Sequence, residues 1–300
     1  MNGAKSRNNV IDLSREKAVR QGERIKQAPP RHLPRVIAIT SGKGGVGKTN
    51  IVANLGIALS QLGQKVMILD ADLGLGNLDI LLGLAPKYNF SHVIKGEKSV
   101  AEVLMEGPHG IKILPASSGI IEMTQLTRDN KAEIFQQLDR VVASIDILLI
   151  DTAAGISSNV MYFNTAAQEI LVVVSPEPTA ITDAYALMKV LSLKYDTHRF
   201  RLLVNMAAGE AEALDVHRQL TMVSNRFLNI DIDYLGFVPY DRNVVRGVKY
   251  QKAVRELFPH SPAGKSFTSL AKSVAQHSVS AYSGQNRGLF RSSLNGHSGD

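Results

Sequence analysis

Ser41-Gly42-Lys43-Gly44-Gly45-Val46-Gly47-Lys48-Thr49 follows the β-branched run Val36-Ile37-Ala38-Ile39 and precedes a helix-like stretch over residues 50–62. The string satisfies G-x-x-x-x-G-K-[ST] through Gly42, Gly47, Lys48 and Thr49. Glycines let the main chain curl so that several N–H groups converge on phosphate oxygens. The N-terminus of the following helix adds its partial positive charge. In this chemistry Lys48 neutralises β/γ-phosphate charge and the Thr49 hydroxyl ligates Mg²⁺. A glycine-rich turn can match by chance, but a strand before, a helix after and aspartates at other strand ends favour a phosphate loop.

Outward from the loop, Gly63 ends the helical stretch and Lys65-Val66-Met67-Ile68-Leu69-Asp70 is the next expected strand. Further apolar runs end at polar residues: Ile147-Leu148-Leu149-Ile150 before Asp151, residues 170–174 before Ser175, and Arg201-Leu202-Leu203-Val204 before Asn205. Ile111-Lys112-Ile113-Leu114 and Tyr234-Leu235-Gly236-Phe237-Val238 are two more strand candidates. Helix-period stretches fall between them, over 128–143, 180–192 and 211–227. Near-continuous apolar strands alternating with helices predict an α/β fold of three layers, a mostly parallel sheet covered on both faces. Such sheets bind ligands at the rim formed by the strand ends. One domain over 35–275 is expected, with a basic arm at 1–34, flexible or partner-binding, and a flexible Ser/Gly/Asn/Arg-containing tail at 276–300.

Hydrophobic residues make up 44% and charged residues 20%, which excludes a disordered or fibrous chain. Cysteine is absent, so disulfides, thiolate metal sites and a cysteine nucleophile are excluded. The eight histidines are scattered without H-x-x-x-H spacing, which disfavours a histidine zinc site. Residues 1–35 hold nine basic side chains against Asp12, Glu16 and Glu23, six of the seven net positive charges. The remainder is nearly neutral, so no specific nucleic-acid partner is expected, while docking through the arm gains support. Ala28-Pro29-Pro30-Arg31-His32-Leu33-Pro34 marks the boundary; within the arm, Ser14 to Ala28 is either a solvated tail or a partner-binding helix. With no apolar leader and no run near ~20 residues, a cytoplasmic location is expected.

Asp70-Ala71-Asp72-Leu73-Gly74-Leu75-Gly76-Asn77-Leu78-Asp79 places two carboxylates one residue apart at a strand end, where they can aim at a metal and a water. Calcium is disfavoured, because the D-x-[DN]-x-[DN]-G spacing and its terminal glutamate are missing. Asp151 ends its strand as a Mg²⁺-facing aspartate does in phosphate-loop enzymes, although a strand-end aspartate can also cap a helix. The amide of Asn205 can pair with both the acceptor and the donor of an adenine edge, or simply occupy a turn.

The paired-lysine string K-G-G-V-G-K-T resembles the deviant Walker A motif of the MinD/ParA ATPases, over about residues 35–275. That resemblance implies a P-loop fold of the SIMIBI class, ATP and Mg²⁺ as cofactors, and an ATP-dependent homodimer. It implies that Gly42, Lys43, Gly44, Gly45, Val46, Gly47, Lys48, Thr49 and Asn50 hold the phosphates. Lys43 would reach across to the partner's phosphates, comparable in role to an arginine finger. Asp70 would lie near the magnesium shell with Thr49 and Asp151, and Asp72 would orient the attacking water. Asn77 would contribute across the dimer, and Gly155 in Thr152-Ala153-Ala154-Gly155 would sense the γ-phosphate. Asn205 would read adenine, with Pro239, Tyr240 and Asp241 lining the other side of the base.

Within that family, G-K-T-N at 47–50, D-L-G-L-G-N-L-D at 72–79, L-P-A-S-S-G-I at 114–120 and S-P-E-P-T-A-I-T-D-A-Y at 175–185 are similar to the flagellar-number regulators, the FlhG or FleN branch. Position 206 is methionine, where MinD tends to have arginine. The branch implies peripheral association with the inner face of the membrane, contact with an FlhF-type GTPase, and contact with flagellar basal-body or transcriptional components. Its N-terminal activation motif D-Q-A-x-x-L-R has no clean match in the arm, and Gly288-Leu289-Phe290-Arg291-Ser292-Ser293-Leu294 is at most a weak membrane-contact segment. Arg242, Arg246 and Lys249 are spaced to share a helix face, with Lys252 and Arg255 nearby; this is either a solvated face or a patch for a partner or anionic lipid. The expected function is an ATP-hydrolysing switch for flagellar number or placement. The alternatives are a DNA-partition ATPase, a division-site ATPase, or a nucleotide-gated scaffold with little turnover.

Overall fold

The computed structural model describes residues 34–72, 76–115 and 128–276. The basic arm before Pro34, the tail beyond Gln276, residues 73–75 of the acidic string and 116–120 lie outside the described residues. The run before the glycine loop forms β1 (Arg35–Ser41), and the loop feeds α1 (Lys48–Gln61). Next come β2 (Val66–Ala71), three short helices at Leu78–Leu81 (α2), Phe90–Ile94 (α3) and Val100–Val103 (α4), then β3 (Met105–Glu106) and β4 (Lys112–Pro115). The second half runs α5 (Arg128–Val142), β5 (Ile147–Ala154), α6 (Ser158–Ala166), β6 (Glu169–Val174), α7 (Pro178–Tyr195), β7 (Arg199–Ala207), α8 (Glu210–Phe227) and β8 (Asp231–Pro239). Three helices close the unit: α9 (Arg242–Lys249), α10 (Val254–Leu257) and α11 (Pro262–Gln276).

The strands form one eight-stranded sheet in the order β3-β4-β2-β5-β1-β6-β7-β8. Every pairing is parallel except the two-residue edge strand β3, which runs antiparallel to β4. The expected mostly parallel sheet is therefore present. Side chains alternate between faces along each strand, and both faces are covered, so the runs read as continuous apolar sequence. On one face Ile37, Ile39, Ile68 and Leu149 pack with Ile51, Leu55 and Leu59 of α1. On the other, Val36, Met67, Leu69, Leu148 and Ile150 pack with Phe90, Val103, Ile134, Leu138 and Phe163. Truncating Ile68 or Leu149 to Ala would cost about 2–5 kcal/mol, because close-packed neighbours relax only partly.

Most strands extend beyond the apolar runs that announced them. β5 continues through Asp151 to Ala154, and β7 through Asn205 to Ala207, because ladder pairing tolerates polar residues at a rim. The short helices between β2 and β4 escape a periodicity reading; α4 is instead fixed by a capping box of Ser99 and Glu102. At the opposite end of the sheet, Arg35 pairs with Glu169, which also accepts from Arg201 at 3.2 Å. Arg35 further donates to the carbonyl of Val274 near the end of α11. Buried charges are tolerable here because each is paired and hydrogen-bonded. Among the described residues, no helix is long and apolar enough to cross a membrane.

Candidate functional site

The carboxyl ends of β1, β2, β5, β7 and β8 share one rim, and the 42–47 loop curls over it. Gly42 packs directly on α7: a Cβ there would lie 2.1 Å from the Asp183 carbonyl oxygen. Gly47 has φ +85°, a left-handed conformation from which α1 begins, and a Cβ there would lie 2.4 Å from the Asn205 amide nitrogen. Gly44 and Gly45 form the exposed crest, Val46 is buried beneath it, and Thr49 and Asn50 are half-buried in the first turn of α1.

Lys48 is buried, and its Nζ lies 2.9 Å from Asp151 Oδ1. The other Asp151 oxygen is buried without a hydrogen-bond partner. Asp70 sits opposite Asp151 in the β2–β5 register. Burial pushes the Asp70 carboxyl up to about 7, reinforced by the Asp151 charge beside it. Burial also raises Asp151, against the opposing pull of Lys48 and the Thr49 hydroxyl. An orphaned carboxylate oxygen, a second carboxylate and a hydroxyl are hard oxygen donors that fit Mg²⁺. No cluster of three or more His, Cys, Asp or Glu with metal-holding geometry occurs among the described residues.

The half-buried Asp72 donates its main-chain N–H to Asp70 Oδ1 at 3.2 Å, so the Asp70 carboxylate is tied to the backbone of the residue that bears the second carboxylate. Asn77 is exposed just before α2. The Gly155 N–H donates to the Ser41 carbonyl at 2.9 Å, tying the end of β5 to the start of the loop. Asn205 is buried, and its Nδ2 donates to the Val46 carbonyl at 2.7 Å. Tyr240 is exposed, but its N–H donates to the Ala207 carbonyl at 2.9 Å, holding the β8 end against the β7 end. Asp241 caps two helices: Oδ1 accepts from Asn243 N–H at 2.8 Å and Oδ2 from Ala263 N–H at 3.1 Å. Burial alone would raise its pKa, but those N–H donors outweigh burial and hold it below the usual carboxylate value.

The structure thus brings Lys48, Thr49, Asp70, Asp72 and Asp151 together, and joins Asn205 to the loop. Lys43 faces another way. Its Nζ lies 2.7 Å from Glu177 Oε2 and 2.8 Å from Thr179 Oγ1, both at the start of α7. Sequence reasoning gave Glu177 and Thr179 no role, although both lie in the string S-P-E-P-T. Of the basic cluster, Arg242, Arg246 and Lys249 are all exposed on α9, with the Arg246 guanidinium over the Phe258 ring at 4.6 Å. Arg255 turns inward to the Gly264 carbonyl at 3.0 Å and belongs to the fold rather than to that surface.

A phosphate loop, paired strand-end carboxylates and a parallel sheet define a P-loop nucleotide-hydrolase architecture. A family profile described as an AAA domain matches residues 34–203. The chain is 47% identical over 250 residues to the antiactivator FleN of Pseudomonas aeruginosa, covering 83% of this chain and 89% of that one. It is 35% identical to the flagellum site-determining protein YlxH of Helicobacter pylori, covering 78% and 80% respectively. The septum site-determining protein MinD of Pyrococcus horikoshii, solved with Mg-ADP, superposes with a TM-score of 0.65 at 25% identity, covering 81% of this chain and 97% of that one. The chain belongs to the MinD/ParA family of P-loop ATPases.

Proposed function

We propose that this chain is an ATP-hydrolysing dimerisation switch that controls flagellar number or placement. The observation that carries it is the buried Lys48–Asp151 pair flanked by Asp70, with the second loop lysine, Lys43, held apart from it on Glu177. The name of the YlxH relative, a flagellum site-determining protein, and the motifs shared with the FlhG or FleN branch support the flagellar context. Bound Mg²⁺ would supply charge neutralisation at the phosphates, held through Thr49, Asp70 and Asp151. Loop N–H groups from 42 to 49 cradle the phosphates, and Lys48 exchanges its carboxylate partner for phosphate oxygen. Asp72 positions the attacking water. Lys43 leaves Glu177 and Thr179 to place its charge on the facing copy's phosphates, with Asn77 beside it. The Gly155 N–H gives up Ser41 to report a γ-phosphate. Asn205 reads the adenine edge, while Pro239, Tyr240 and Asp241 close the far side of the base.

In this reading residues 35–275 are the ATPase unit, 1–34 are a basic partner-binding arm, and 276–300 make weak membrane contact. Partners are an FlhF-type GTPase and flagellar basal-body or transcriptional components, met in the cytoplasm and at the inner membrane face. Light scattering coupled to size-exclusion chromatography in Mg-ATP tests the scheme. Asp72→Ala is expected to accumulate as dimer and Lys48→Ala to remain monomeric. An Asp72→Ala protein that stays monomeric overturns it. In a deletion strain, altered flagellar counts support the assigned role, and minicells with normal flagella overturn it.

A further inference from the structure

Along β7 the side chains from Leu202 to Asn205 and that of Ala207 are buried, but Met206 between them is 40% exposed. The register explains its position. Asn205 pairs with Val238 and Ala207 with Pro239, leaving Met206 without an opposite residue. Met206 is therefore the extra residue of a β-bulge, a device that re-aims a side chain at a sheet rim. Its φ is +61°, in the left-handed region that residues other than glycine rarely occupy. Strain of this kind persists where surrounding structure holds it, and it clusters at ligand clamps.

The place to which the bulge aims Met206 is specific. A Cβ at Gly47 would lie 3.2 Å from Met206 Cε, so the methyl lies beside the final glycine of the loop. The preceding residue, Asn205, is bonded to the Val46 carbonyl, and the following residue, Ala207, accepts from Tyr240 N–H. A polarizable thioether is thus left uncovered at the corner where loop, β7 end and β8 end converge. Sulfur packs favourably against aromatic rings.

We infer that Met206 is a base-contacting residue, its thioether packing against the purine of a nucleotide whose phosphates lie in the 42–49 loop. This rests on the loop being the ATP site, and it adds a specificity-determining contact to that site. The test is methyl NMR of the full chain carrying ¹³C-methyl methionine, with Met206 assigned by the signal lost in Met206→Leu. Mg-ADP is expected to shift that methyl upfield through the purine ring current, whereas base-free Mg-tripolyphosphate leaves it in place. Met206→Gly, which removes the side chain and relieves the backbone, is expected to weaken Mg-ADP binding roughly 3- to 10-fold. Its affinity for Mg-tripolyphosphate should not change. A methyl unmoved by bound Mg-ADP, or moved equally by tripolyphosphate, overturns the inference alone. Failure of the unaltered chain to bind Mg-ADP overturns the ATP reading, and this inference with it.

Discussion

Lys43 Nζ lies 2.7 Å from Glu177 Oε2 of the same chain, so the second loop lysine is held on its own side of the molecule. The pair is open to solvent, with side-chain exposures of 35% and 63%. Exposed pairs are worth about 0–1 kcal/mol, a restraint that the facing triphosphate of the proposed dimer would outcompete. Glu177→Gln is therefore expected to change the ATP-dimer dissociation constant by less than about 5-fold. Lys43→Ala should abolish the dimer. Sedimentation velocity in Mg-ATP distinguishes the two, and a Lys43→Ala protein that dimerises like the parent would remove Lys43 from the interface.

The Lys48–Asp151 pair is the opposite case, because both members are buried. Removing one partner of such a pair costs about 3–5 kcal/mol by stranding the other. Lys48→Met should lower nucleotide-free stability in urea by an amount near the lower end of that range, because Asp151 can take up a proton. The double change Lys48→Met with Asp151→Asn should recover most of the stability and none of the ATP binding. Recovered binding would show that neither residue serves the nucleotide.

Close packing dictates the glycine at 42 more than backbone freedom does. A methyl there meets the Asp183 carbonyl at 2.1 Å, whereas one at Gly63 meets nothing within 4 Å. Gly42→Ala should therefore cost about 1–3 kcal/mol through displacement of the loop from α7. Gly63→Ala carries only the expense of its positive φ, about 1 kcal/mol. Thermal unfolding ranks them; an equal loss at both sites would count against the packing account.

Asp241 gives a pH dependence of definite sign. Its folded-state pKa lies below the ordinary aspartate value, through N–H donors that outweigh burial. A depressed carboxyl contributes stability that is present above the unfolded pKa and disappears as pH falls through the folded one. Asp241→Ala should cost about 1–2 kcal/mol at pH 7 through lost capping. The difference from the parent should narrow as acid is added below the ordinary aspartate range. A difference constant from pH 7 to pH 2 would remove the charge from the explanation.

Lys48, Thr49, Asp70 and Asp151 were legible because their meaning is local. A spaced glycine loop and aspartates at the ends of apolar runs announce themselves within a dozen residues. The parallel sheet was legible for the same reason, since burial on both faces leaves unbroken Val, Ile and Leu. The partners of Lys43 were not, because Glu177 lies 134 residues away and meets the loop only when α7 packs beside β1. Nor was the conformation of Met206, which arises from a register shift between two strands rather than from its own preference. Asp241 showed a third limit: its position beside Pro239 and Tyr240 was visible, but its grip on Ala263 belongs to a helix still to come.

That grip makes α11 a strut fixed at both feet. Its first turn hangs from Asp241 at the loop rim, and its last turn is pinned through Val274 by Arg35 at the far edge of β1. Fifteen residues at about 1.5 Å each give a rod of roughly 22 Å, running the depth of the sheet. One helix thus ties the Tyr240–Asp241 corner at the mouth to the buried Arg35–Glu169 pair at the other end of the sheet.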